Sequence, residues 1–156
     1  MCRRDRSGTA DATRDVGPEL IPGRSDHGVF AVGPKVYAVG GYPDSYATLD
    51  SVEVLDTSAS SPAWAAAPSL PEARGDVTCA AAGGKGYAIG GFYDPSGAFA
   101  PDLFMEHVCE LAGAGGGAAW THKTSTPVAV GGQAATALPS RPIVVVRGGL
   151  HPNAGS

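Results

Sequence analysis

The chain has 156 residues and a net charge of −4, and its 11 lysines and arginines are scattered, which argues against a surface built to neutralise nucleic-acid phosphates. Its 23 glycines and 13 prolines would break long helices, so a coiled coil or helical bundle is disfavoured and short strands joined by turns lead. Apolar runs such as "IVVV" at 143–146 fall far short of the roughly 20 residues that span a bilayer. The arginine-rich start is not followed by the apolar stretch of a secretion signal, so no membrane association and an intracellular location are expected.

In chain order, residues 1–22 are expected to be a disordered tail carrying four arginines and three aspartates, to which no function is assigned. At Arg24 begins "RSDHGVFAVGPKVYAVGGY", and "RGDVTCAAAGGKGYAIGGF" begins at Arg74, an ungapped match at an offset of 50 residues. A fixed period of this size is the mark of a repeat architecture. Each copy holds an apolar stretch, a two-residue turn (Gly33–Pro34, then Gly83–Gly84) and a second apolar stretch ending in Gly-Gly, which predicts a β-hairpin. A third strand is predicted over 50–56 ("DSVEVLD") and a fourth around Trp64 ("AWAAA"). In the second copy "DLFMEHVCEL" and "AAWTHK" take those places. Trp120 lies 30 residues after Gly90 where Trp64 lies 24 after Gly40, so the second copy is longer by six residues, assigned to a flexible extension in "LAGAGGGAAW". A third copy closes on Gly148–Gly149, with Arg147 where the first two have Val39 and Ile89.

The order Arg, apolar strand, Tyr, Gly-Gly, "VEVLD", Trp, Pro resembles the kelch repeat, over residues 21–149. The resemblance implies an all-β fold: an incomplete kelch-type β-propeller, with four-stranded antiparallel blades in an open arc. Repeats are expected at 23–70 and 71–126, with a partial one at 127–156, and Trp64 and Trp120 would pack between neighbouring blades. Fewer than three full repeats cannot close a ring of four to eight blades, so exposed terminal blades are expected to favour self-association or an unstable fragment.

Little suggests catalysis. There is no G-x-S-x-G elbow, the glycine-rich strings lack the lysine of a phosphate loop, and His27, His107, His122 and His151 are spaced singly. Glu106 and His107 are adjacent and on a strand would face opposite ways. Cys79 and Cys109 read as buried reduced thiols, and Asp50, Glu53 and Asp56 as a solvated strand face. No metal or cofactor is expected. The loops at 42–49 and 92–100 combine aromatic, Asp and Pro residues, a recognition composition. By resemblance to kelch loops, Tyr42, Asp44, Tyr46, Phe92, Tyr93 and Asp94 are the candidate partner contacts. Arg24 and Arg74 are candidate anchors for an acidic group of that partner. The expected function is a non-enzymatic protein-interaction module or scaffold. The competing readings are a piece of a kelch-propeller enzyme such as a galactose-oxidase-like oxidase, which would need copper ligands from Tyr and His, or a truncated product without independent function.

Overall fold

The computed structural model describes residues 18–98, 103–113, 118–138 and 141–150, and the secondary structure there is β-strand without helix. Strands β1 (Gly28–Val32), β2 (Lys35–Val39), β3 (Val52–Asp56) and β4 (Trp64–Ala67) form one antiparallel sheet in chain order. Strands β5 (Thr78–Ala82), β6 (Lys85–Ile89), β7 (Val108–Ala112) and β8 (Trp120–Lys123) form a second with the same order. Strands β9 (Ala134–Ala137) and β10 (Val144–Arg147) pair as a hairpin. β1 packs on β5 and β5 on β9, so the first strand of each unit runs along a shared inner seam.

The hairpins close as their turn residues require. Val32 pairs with Lys35 across Gly33–Pro34, and Ala82 with Lys85 across Gly83–Gly84. Gly33, Gly83 and Gly84 all take positive φ, the backbone that two-residue hairpin turns of matching twist demand. The Gly-Gly pairs do more. Gly40 and Gly41 have φ of 62° and 95°, and Gly90 and Gly91 of 58° and 109°. The bare backbone there touches the following unit: the Gly41 N–H donates to the Arg74 carbonyl at 2.9 Å and the Gly91 N–H to the Val130 carbonyl at 2.7 Å. A side chain on Gly40 would collide with the Arg74 carbonyl, and one on Gly90 with that of Val130. Glycine recurs because successive sheets are hydrogen-bonded through it.

The core lies between the first two sheets. Phe30, Tyr37, Val39, Val52, Leu70, Val77, Leu111 and Trp120 are buried together. Phe30 stacks on Tyr37 at 4.7 Å between ring centroids and meets Trp120 edge-on at 6.2 Å. Gly86, where the first unit has Val36, leaves the space that the Phe30 ring fills.

Three expectations need correction. The six additional residues of the second unit are not in the Gly/Ala stretch, of which 114–117 lie outside the described residues. Seven residues separate β3 from β4 and seven separate β7 from β8, whereas twelve separate β2 from β3 and eighteen separate β6 from β7. The extension is in the β6–β7 loop. Second, the tail expected to run to Pro22 is described from Pro18 onward, residues 1–17 lying outside. The Pro18 carbonyl accepts a hydrogen bond from Trp64 Nε1 at 2.9 Å, as the Pro68 carbonyl does from Trp120 Nε1 at 2.9 Å. Pro18 precedes Pro68 by the repeat offset, so "PELIPGR" is the same connecting segment as "PSLPEAR". Third, Trp120 packs between two sheets as expected, but Trp64 is only half-buried and meets that proline segment instead.

Candidate functional site

The β2–β3 and β6–β7 loops emerge at the same end of adjacent sheets and are clasped to each other. The Thr48 N–H donates to the Asp94 carbonyl at 2.9 Å, and the Asp94 N–H donates back to Thr48 Oγ1 at 3.1 Å. The Asp94 carboxylate, 1% exposed, accepts from the Ser96 N–H at 3.0 Å and from Ser96 Oγ at 2.8 Å. It shapes the turn leading to Gly97, which lies against the Ser45 carbonyl. The Tyr46 N–H closes a turn on the Pro43 carbonyl at 2.9 Å, leaving Tyr46 at φ 60°. Non-glycine residues seldom adopt that backbone unless their surroundings impose it.

The six loop residues picked from sequence divide into two groups. Asp44, Tyr46 and Tyr93 are exposed, the last two at 56% and 38%. Tyr42, Phe92 and Asp94 are buried and build the support. The Tyr42 ring lies over Gly75 in the next unit and its hydroxyl donates to Asp76 Oδ2 at 2.8 Å. Burial, reinforced by that bond, pushes its phenol pKa well above the ordinary range. Phe92 meets Phe104 edge-on at 5.5 Å.

Arg24 and Arg74 cannot anchor a partner's acidic group, because both guanidinium groups are enclosed and spent internally. Arg24 donates to the Gly40 and Ser51 carbonyls, each at 3.1 Å, and pairs with Glu53 at 2.6 Å. Arg74 donates to the Gly90 and His107 carbonyls at 3.0 and 3.1 Å. Each arginine thus ties the entrance of its unit to the glycine that ends the second strand and to the start of the third strand. Glu53 is accordingly a buried ion-pair partner and not part of a solvated face. Cys109 stands where the first unit has Glu53, so Arg74 takes its carboxylate from Glu72 at 3.4 Å instead.

The histidines are less isolated than their spacing implies. His107 Nδ1 lies 2.7 Å from Glu72 Oε2, and its ring meets that of His122 edge-on at 5.4 Å. His122 Nδ1 is 3.8 Å from Cys109 Sγ. Burial raises the Cys109 thiol pKa against the pull of Arg74 and raises that of Cys79 to about 12, so both thiols stay protonated and are poor nucleophiles. Among the described residues no group of three or more His, Cys, Asp and Glu is arranged to hold a metal ion.

Sequence reasoning missed a groove of about 630 Å³ between the segment Pro71–Ala73 and the returning half of the β6–β7 loop, Leu103–His107, with Tyr93 and Pro95 on its side. The signal was the six-residue difference between the copies, read in the wrong loop.

The recurrence of sheet order, Gly-Gly links and arginine clasps is matched by comparison with known proteins: residues 23–71 fit the Kelch motif. Residues 23–71 carry a kelch repeat. The solved structure of YjhT, a kelch-type propeller protein, superposes with a TM-score of 0.69 at 13% identity, over 84% of this chain and 40% of that one. The chain therefore spans two-fifths of the length of YjhT, and at that identity the likeness establishes the fold alone. No curated protein matches the sequence. Among the described residues the fold is an incomplete kelch-type propeller: two four-stranded blades and a hairpin of a third, in an open arc. No helix among the described residues is long and apolar enough to cross a membrane.

Proposed function

We propose that the chain is a protein-interaction module that contacts its partner through Asp44, Tyr46 and Tyr93. The observation that carries this reading is the clasp between loops of neighbouring blades, Thr48 to Asp94, which supports exposed aromatic side chains on a buried frame of Tyr42, Phe92 and Asp94. Aromatic contacts held rigid before binding lose little conformational entropy on association, which is what a recognition surface needs. The protonated thiols and the absence of converging metal-ligand groups among the described residues offer no comparable support for a catalytic reading.

Selection from a displayed random-peptide library tests this. The native chain is expected to enrich a recurring motif, and the Tyr46→Ala/Tyr93→Ala double variant to bind the enriched peptides at least about tenfold more weakly with its melting temperature nearly unchanged, since exposed positions carry little stability. Equal binding by the double variant would sink the assignment.

A further inference from the structure

The β6–β7 loop beside the groove is six residues longer than the β2–β3 loop of the first blade, and the hydrogen bonds show where. The Leu49 N–H donates to the Gly41 carbonyl and the Met105 N–H to the Gly91 carbonyl, both at 2.9 Å, so Met105 occupies in the second blade the position of Leu49 in the first. The six extra residues therefore fall between Tyr93 and Phe104. After them the chain is pinned beside Tyr93, whose N–H donates to the Leu103 carbonyl at 3.0 Å, and by the Phe92–Phe104 bridge. The segment Leu103–His107 is one wall, and the interblade segment with Glu72 is the other.

The groove is apolar along its side, at Tyr93, Pro95, Leu103 and Met105, and acidic at its rim, at Glu72 and Glu106. Glu72 is shared with His107 at 2.7 Å and with the enclosed Arg74 at 3.4 Å. Glu106 is exposed, and among the described residues no ion pair engages its carboxylate, although its backbone carbonyl is held by Thr126 at 2.9 Å. Among the described residues no lysine or arginine lines the groove.

We infer that the groove binds a segment of the partner protein in which a lysine or arginine adjoins an apolar residue. The apolar side chain fits against Leu103 and Met105. The alkyl stem of the basic residue crosses the Tyr93 ring and its cation reaches Glu106, an arrangement that leaves apolar and charged parts of one side chain each in matching surroundings. This rests on the interaction reading above and adds to it the chemistry of the partner.

The test is a titration of 15N-labelled full chain with three acetylated, amidated hexapeptides centred on Leu-Arg, Leu-Glu and Ser-Arg. The Leu-Arg peptide is expected to shift the Met105, Glu106 and His107 amides saturably, at least about fivefold more tightly than either other peptide. Glu106→Gln should reduce that difference to less than about twofold while leaving the unbound spectrum unchanged elsewhere. Failure of the Leu-Arg peptide to bind, equal binding of Leu-Glu, or indifference to Glu106→Gln would each overturn the inference. Peptides selected on the native chain that lose binding in Tyr46→Ala but not in Glu106→Gln would leave the interaction surface standing and remove the groove from it.

Discussion

Replacing Arg74 by alanine is expected to cost about 3–5 kcal/mol of folding stability, a large part of the roughly 5–15 kcal/mol that holds a typical domain together. The side chain is fully buried between two blades. It satisfies two backbone carbonyls, those of Gly90 and His107, and stands between Cys109 and Glu72. Alanine would leave both carbonyls without a donor and a void the size of the guanidinium at the entrance to the second blade, and a buried acceptor left unmade costs more than the bond itself contributes. Urea unfolding monitored by tryptophan fluorescence should show the midpoint falling with the slope unchanged. A loss under about 1 kcal/mol would mean that the carbonyls find water and that the arginine clasp is dispensable.

Trp120→Ala should be of similar size, about 3–5 kcal/mol, while Trp64→Ala should cost about 1 kcal/mol or less. The two tryptophans occupy the same place in the repeat. Trp120 is 8% exposed, donates to Pro68 and packs edge-on against Phe30, so its removal opens a cavity in the seam between blades. Trp64 is only partly buried, on the last strand of the first blade, where it donates to the Pro18 carbonyl. Equal losses in the two variants would contradict the placement of the core between the first two blades.

What the sequence conveyed and what it hid follow from the kind of signal each residue carries. Strand order and turn positions were readable because the copies from Arg24 and Arg74 align without a gap through both strands of the hairpin, and Gly-Gly marks the same exit in each unit. The loop extension was misplaced because glycine and alanine in "LAGAGGGAAW" look like slack, whereas loop length is decided by where β3 and β7 pair, and composition does not record pairing. Arg24 and Arg74 read as anchors by analogy with kelch proteins, because each stands at the start of its repeat and sequence position alone does not show burial. Only the fold shows that each faces a ring of backbone carbonyls, with Glu53 in one blade and Glu72 in the other completing it. Of the loop residues, Tyr42 and Phe92 share a position at the Gly-Gly exit and are turned inward by the bridges Ser25↔Tyr42 and Gly75↔Phe92, a constraint set by partners 17 residues away in each case. Asp44, Tyr46 and Tyr93, which are exposed, are chosen by the same compositional rule as the buried Tyr42, Phe92 and Asp94, because composition does not separate exposed from buried loop positions.

The central claim is that loops of neighbouring blades form one rigid surface, and amide hydrogen exchange at Thr48 reads it directly. Its N–H donates across the blade boundary to the Asp94 carbonyl at 2.9 Å. Protection at Thr48 should approach that of the β2 amides and fall in step with the Gly41 amide, whose acceptor is also in the next unit. Exchange at Thr48 as fast as an unprotected loop amide, while β2 remains protected, would show the two loops moving independently and would contradict the account.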